Sequence, residues 1–348
     1  MGLRSYVAKR LVYSVILILL AMSVNFFLFM VMPGDVEDLF VPPKGLPKAE
    51  YERLLTIFRH KWGLDQPLYA RYFTYLKNMF TWDFGRTILF NKDVAQQIML
   101  RIPWTLMLVG LSTVFSIILG ILTGVISAYK RGTPLDSGIL MSALMVGSLP
   151  TFWLGMVFIV IFTGWLNWFP SAHIFPPEWG SGNTPFPQAF FITGGTIQFN
   201  GPGALTLLGG IVSHAVLPLL TLTIFLYGGY TLLVRATMID ALTEDYIVTA
   251  RAKGVSETSV LFSHALRNAS LPLITSVALA FGFLFSGATI TETVFSYEGL
   301  GRWIYESVTV KDYFAMQAIF YIITLCVIIA NIVADLLYGV VDPRIKYG

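Results

Sequence analysis

DYIVTARAKGVSETSVLFSHALRNASLP, residues 245–272, is a polar, helix-forming island between long apolar runs. Tyr246, Thr249, Ala250 and Lys253 recur at i, i+3, i+4 and i+7, which puts them on one face of a short helix. Gly254 follows the last turn, where a helix terminus favours φ > 0, and Lys253 suits the negative end of the helix dipole. Ser256 stands where a second helix would be capped, with Glu257 at its first position. The island reads as helix, glycine turn, helix. Ala250 and Ala252 are small enough for another protein to come close. By composition alone, an ordinary amphipathic connection at a membrane surface fits as well.

The surroundings of the island set the class. Of 348 residues, 55% are hydrophobic and 12% charged. Soluble domains carry about 25% charged residues, so half the usual charge is missing, and the mean hydropathy of +0.70 points the same way. This is the composition of an integral membrane protein. A net charge of +3 with no basic run gives no support for nucleic-acid binding. The single cysteine, Cys326, lies in an apolar run and excludes an internal disulfide framework or a Cys-based metal site. His60, His173, His214 and His264 are scattered without metal-ligand spacing.

A spanning helix needs about 20 mainly apolar residues. Six runs qualify, near 9–32, 103–128, 138–164, 206–234, 270–291 and 314–338. The first follows MGLRSYVAKR and is longer than the apolar core of a signal peptide, so it reads as a retained helix. Pro103, Pro150, Pro218 and Pro272 fall in or at the starts of these runs, as membrane helices tolerate. An even number of spans puts both termini on one side. Arg4, Lys9, Arg10, Lys130, Arg131, Arg235, Arg251, Lys253, Arg267, Arg344 and Lys346 all fall on that side, which makes it cytoplasmic. The loop near 165–205 has no Lys or Arg, and 297–313 has only Arg302 and Lys311. Segment 33–102 carries ten basic and eight acidic residues, but long loops cross largely regardless of charge.

Within 33–102, Ala49–Trp62 and Leu68–Phe80 each show helical spacing of large apolar side chains, with Gly63 and Pro67 between. They predict two short amphipathic helices forming a small external cap. A contact surface for a delivery partner and a packed lid both fit. The second outer loop, PSAHIFPPEWGSGNTPFPQAFF, is rich in Pro, Gly and aromatics and is expected to lack regular structure.

Chemistry inside the membrane is sparse. Ionisable groups there are functional by default, and the candidates are Glu292, Asp335 and His214, with Asn331 as a polar neighbour. Glu292 and Asp335 lie near the ends of their runs, where reaching the interface is the simpler reading. No chain of carboxylates, potassium-type filter or protease motif is present, and no G-x-x-x-x-G-K-[ST] loop cradles a nucleotide phosphate. Driven transport would therefore take its energy from a partner.

Here the island becomes recognisable. It resembles the cytoplasmic signature loop, E-A-A-x-x-x-G-x9-I-x-L-P, of binding-protein-dependent ABC importer permeases. Val248, Thr249 and Ala250 stand at the E-A-A positions and Gly254 at the glycine. Two departures, Val248 for the acidic residue and Leu271–Pro272 arriving five residues late, match the oligopeptide, dipeptide and nickel branch, as do TARAKG (249–254) and HALRN (264–268). The resemblance extends to MPGD (32–35), GLDQPL (63–68), LPTFWLG (149–155), ETVFSYEGLGR (292–302) and DPR (342–344). The outer loop near 172–204 is longer than usual for that branch.

The resemblance implies an all-α, type I importer permease with six transmembrane helices. It implies an N-terminal helix over 1–32, an extracytoplasmic insertion over 33–102 and a five-helix core over 103–348 containing a coupling loop, 236–270. It implies a multi-pass protein of the cell membrane with both termini cytoplasmic. Asp245, Tyr246, Thr249, Ala250, Arg251, Ala252, Lys253, Gly254, Val255 and Ser256 would dock in a separate ATP-binding subunit. The expected partners are two such subunits, a second related permease, an extracytoplasmic solute-binding protein and the bilayer. No cofactor is expected on this chain, with ATP and Mg held by the partners. Short peptides are the first solute class, oligosaccharides or metal chelates the alternatives. A stand-alone ion-coupled carrier or channel is the reading from another class.

Overall fold

Apolar runs in this chain become helices because hydrocarbon offers no partner for a free backbone N–H or C=O. The computed structural model describes residues 3–31, 65–87, 92–176, 190–193, 196–199, 204–283 and 288–341, with isolated positions between 49 and 57. The order is α1 (Leu3–Val31), α2 (Leu68–Thr81), α3 (Val94–Tyr129), α4 (Pro134–Ser148), α5 (Thr151–Phe158), β1 (Phe190–Thr193) and β2 (Thr196–Phe199). Then come α6 (Ala204–Leu242), α7 (Asp245–Ala252), α8 (Glu257–Ser259), α9 (Leu266–Phe283), α10 (Thr289–Val294), α11 (Leu300–Thr309) and α12 (Tyr313–Val341). Wider π-type turns extend α5 through Ile159–Trp165 and join α8 to α9 through Val260–Ala265.

Three of the described helices are long and apolar enough to cross a membrane, at Val12–Phe29, Val94–Tyr129 and Leu208–Leu242. A fourth crossing results if α4 and the α5 segment count as one span. That pair covers the expected run at 138–164 and is sharply broken, its halves meeting at 102°. The cause is local. Leu149 precedes a proline and is held extended, with φ −82° and ψ 138°, where an α-helix cannot continue. The fifth and sixth expected runs coincide with α9 and α12, with residues 284–287 outside the described set and the apolar described part of α12 at Tyr313–Ile329.

The described part of the second outer loop, 170–176, has no regular structure, as expected, and a ribbon begins at the end of the Pro-rich stretch. β1 and β2 pair antiparallel from Phe190↔Phe199 to Thr193↔Thr196, so the described chain is helical with one two-stranded ribbon. The sequence signal for it is Gly194–Gly195 between two β-prone stretches, a two-residue hairpin link. Of the two amphipathic helices expected in 33–102, the second is α2; Ala49–Trp62 lies largely outside the described residues.

Backbone contacts divide the chain into two units, Met1–Leu100 with Trp303–Ile328, and Arg101–Arg302 with Ile329–Gly348. In the first, α1 packs on α2. Ser23 Oγ meets Tyr72 Oη at 2.6 Å, and Asn25 Nδ2 donates to Tyr75 Oη at 2.9 Å and to the Gln317 carbonyl at 3.1 Å. Phe26 meets Tyr72 edge-on, ring centroids 5.3 Å apart. Beyond these contacts α1 exposes Val12, Ile16, Leu20, Val24 and Phe27, a face suited to lipid.

In the second unit α3 runs against α6. Gly120 and Gly124 form a GxxxG pair that lets the two backbones approach: a Cβ on Gly124 would stand 2.7 Å from the Val234 Cβ and 2.9 Å from the Thr231 carbonyl. Hydroxyls staple the same contact, buried Ser116 Oγ to the Thr223 carbonyl at 3.0 Å and half-buried Thr123 to Thr231 at 2.8 Å. At one end, Arg235 of α6 donates twice, both at 2.8 Å, to Asp136 at the start of α4. Asp136 also accepts from Ser127 Oγ at 2.5 Å and the Gly132 N–H at 2.9 Å. A buried carboxylate with four donors needs no further partner.

Candidate functional site

The island folds as helix, turn, helix. α7 opens after Glu244 with Asp245 in its first turn, and Thr249 Oγ1 donates back to the Asp245 carbonyl at 3.0 Å. It closes with a double clasp. The Gly254 N–H donates to the Arg251 carbonyl at 2.9 Å and the Val255 N–H to the Ala250 carbonyl at 3.3 Å, the Schellman pairing that satisfies the last carbonyls. Gly254 has φ +74° and open space where a Cβ would project, so the backbone angle alone demands glycine.

The face that α7 turns inward differs from the expected one. Ile247 is fully buried and Ala250 nearly so, and with Tyr246 and Val255 they join one apolar cluster. Ala250, read from sequence as room for a partner, is thus spent on the chain's own core. The Tyr246 hydroxyl is buried with no hydrogen-bond partner among the described residues. Asp245, Val248, Thr249, Arg251, Ala252, Lys253, Gly254 and Ser256 are exposed; Val248, 63% exposed, presents an apolar side chain to the surface.

Arg251 is braced across the turn, its Nη2 2.6 Å and its Nε 3.3 Å from the two Glu257 carboxylate oxygens. The Arg251 guanidinium holds the Glu257 carboxyl below its ordinary value. Ser256 occupies the cap position but makes no side-chain capping bond; its carbonyl accepts from the Val260 N–H at 2.9 Å. Sequence reading missed Ile247 and the Arg251–Glu257 brace. No local signal singles out Ile247, since its neighbour Val248 is equally apolar and lies exposed.

The intramembrane candidates resolve differently. Glu292 does not reach an interface: it is fully buried. Thr105 Oγ1 donates to its Oε1 at 2.9 Å, the Arg302 N–H to its Oε2 at 2.8 Å, and the Gly301 N–H also reaches it. Thr105 in turn accepts the Leu300 N–H at 2.7 Å. The carboxylate thus caps the N-terminus of α11, where free N–H groups and the dipole favour an anion. Gly299 is required there for space, because a Cβ would stand 2.5 Å from Glu292 Oε2 and 2.6 Å from Thr105 Oγ1. His214 is buried with Nδ1 2.7 Å from the Ala172 carbonyl. The side chain of Asp335 lies outside the described residues. No group of His, Cys, Asp and Glu among the described residues is placed to hold a metal ion.

These features define a multi-pass membrane protein with an exposed helical turn outside its spans. Two family models cover nearly all of it. "Binding-protein-dependent transport system inner membrane component" matches residues 116–347 and its N-terminal companion matches 3–109. The chain belongs to this family of transport-system membrane components. It is similar to the oligopeptide transport system permease protein AppB of Bacillus subtilis, 33% identical with 99% of each chain covered. The di/tripeptide transport system permease protein DppB of Pseudomonas aeruginosa is 32% identical, again over 99% of each chain. The glutathione transport system permease protein GsiC of Escherichia coli is 35% identical over the same share. The chain is therefore a permease subunit, and ATP hydrolysis lies in separate ATP-binding subunits.

Proposed function

We propose that this chain forms half of the translocation path of an ATP-driven importer of short peptides, and that the exposed side of α7 docks into an ATP-binding subunit. The observation that carries the docking reading is the pairing of an exposed face, Asp245, Val248, Thr249, Ala252 and Lys253, with a clasped, braced turn. A rigid helix end with a small, mixed apolar and polar surface suits a protein groove. The peptide reading is supported by relatives named for oligopeptides, di/tripeptides and glutathione.

In this reading the complex holds a second related permease, two ATP-binding subunits and an extracytoplasmic solute-binding protein. Six helices cross the membrane, with residues 33–102 as an external cap, 103–348 as the core, and both termini cytoplasmic. ATP can drive such a machine only by binding two conformations with different affinity, so the docking surface must carry that difference to the spans. The test is reconstitution. Purified with its ATP-binding subunits and binding protein, the chain should take up a labelled peptide into liposomes only with ATP. Uptake by this chain alone would sink the importer reading and favour a stand-alone carrier.

A further inference from the structure

We infer that Ile247 is the positioning residue through which the docking helix moves the spanning helices, although it faces away from the docking surface. This rests on the docking reading above. Ile247 is the one large side chain of α7 that is fully buried. The cluster it enters also contains Val125 of α3, Val234 and Met238 of α6, Val260 of the π-type turn and Leu273 of α9. Three long helices, the flanking α6 and α9 and the remote α3, thus share one packed volume with a helix of eight residues.

The composition of that volume makes it stiff. Five of its twelve buried members are alanines, at 128, 241, 250, 265 and 269, so helix backbones can lie close there, and Val, Ile, Leu and Met side chains fill the rest. Ile247 and Met238 are among the largest fully buried side chains of the molecule. Packed interiors are close to crystal density and transmit displacement instead of absorbing it. The outer end of α7 is tied by the Gly254 and Val255 clasp and by the Arg251–Glu257 brace. Force applied to its exposed side is therefore delivered at Ile247. A shorter side chain would leave the surface intact and slacken the link behind it.

The test uses the complete transporter in liposomes and measures bound ATP-binding subunits, ATP hydrolysis, and peptide taken up per ATP. Ile247→Ala should retain the ATP-binding subunits and their hydrolysis while uptake per ATP falls about tenfold. Ile247→Val should lie between, a fall of about two- to threefold, and Ile247→Leu should restore coupling because volume is conserved. If Ile247→Ala fails to assemble, the Val and Leu variants carry the same comparison. Unchanged uptake per ATP in Ile247→Val and Ile247→Ala overturns the inference. So does a loss of uptake that merely tracks loss of the ATP-binding subunits. The docking reading is tested separately by Ala252→Trp on the exposed side. Release of the ATP-binding subunits supports it, and their undiminished retention overturns it whatever Ile247 does.

Discussion

Two helix–turn elements of this permease use glycine for opposite reasons. At the α7 turn, Gly254 has a left-handed backbone and empty space around it. At the start of α11, Gly299 is needed because the carboxylate of Glu292 and the hydroxyl of Thr105 leave no room for a methyl group. The first turn is shaped by its backbone and kept open at the surface. The second is filled by a buried carboxyl group and its donors. An element meant to be gripped keeps its strain local and its surroundings vacant. An element meant to hold still is built by removing every vacancy.

The largest expected effect attacks the filled corner. Glu292→Leu deprives the Arg302 N–H and the Thr105 hydroxyl of their acceptor, at about 1–3 kcal/mol for each buried donor. Thermal unfolding of the detergent-solubilised protein should show a clearly lower midpoint, and Gly299→Ala should lower it too by forcing the same groups apart. If Gly299→Ala unfolds like the parent, the corner is not packed as described. Next comes the open turn. Gly254→Val places a β-branched residue at φ +74°, a strain of about 1–2 kcal/mol. The protein should still insert and fold while uptake per ATP drops, and unchanged coupling would remove the turn from the transmission path.

The smallest effect belongs to the brace. Glu257→Gln should lower stability by about 0.5 kcal/mol, as exposed ion pairs do. The Glu257 carboxyl titrates below its ordinary value in the folded chain. Its contribution is therefore complete above the ordinary carboxylate range and disappears as pH falls through the lowered folded value. Melting curves for parent and Glu257→Gln should converge below that value, and a constant gap would show that the charge pair is not the source.

Much of the turn was legible because its rules are local. Gly254 after Lys253 predicts the left-handed terminus from four residues of sequence. The direction of the helix face was not legible, since Tyr246, Thr249, Ala250 and Lys253 satisfy helical spacing as well as Ile247 and Ala250 do. Only the packing of α3, α6 and α9 decides between them. Glu292 was misplaced for the same reason. Near the end of an apolar run, a carboxylate is within reach of water, and nothing local reveals that Thr105, nearly 190 residues earlier, arrives to bond it. Asp136 and Arg235 went unpaired in sequence because 99 residues separate them. The ribbon at 190–199 starts where the Pro-rich stretch ends, and its local mark is Gly194–Gly195 between β-prone residues.

The angle between α4 and α5 has a consequence for where lipid lies. Pro150 has no N–H to give, so the carbonyl ladder is interrupted where the two halves meet at 102°. Acyl chains cannot serve carbonyls left over by such an interruption; protein groups or water can. The carbonyls freed at the bend therefore need protein groups or water beside them, a requirement that no straight span such as α1 carries.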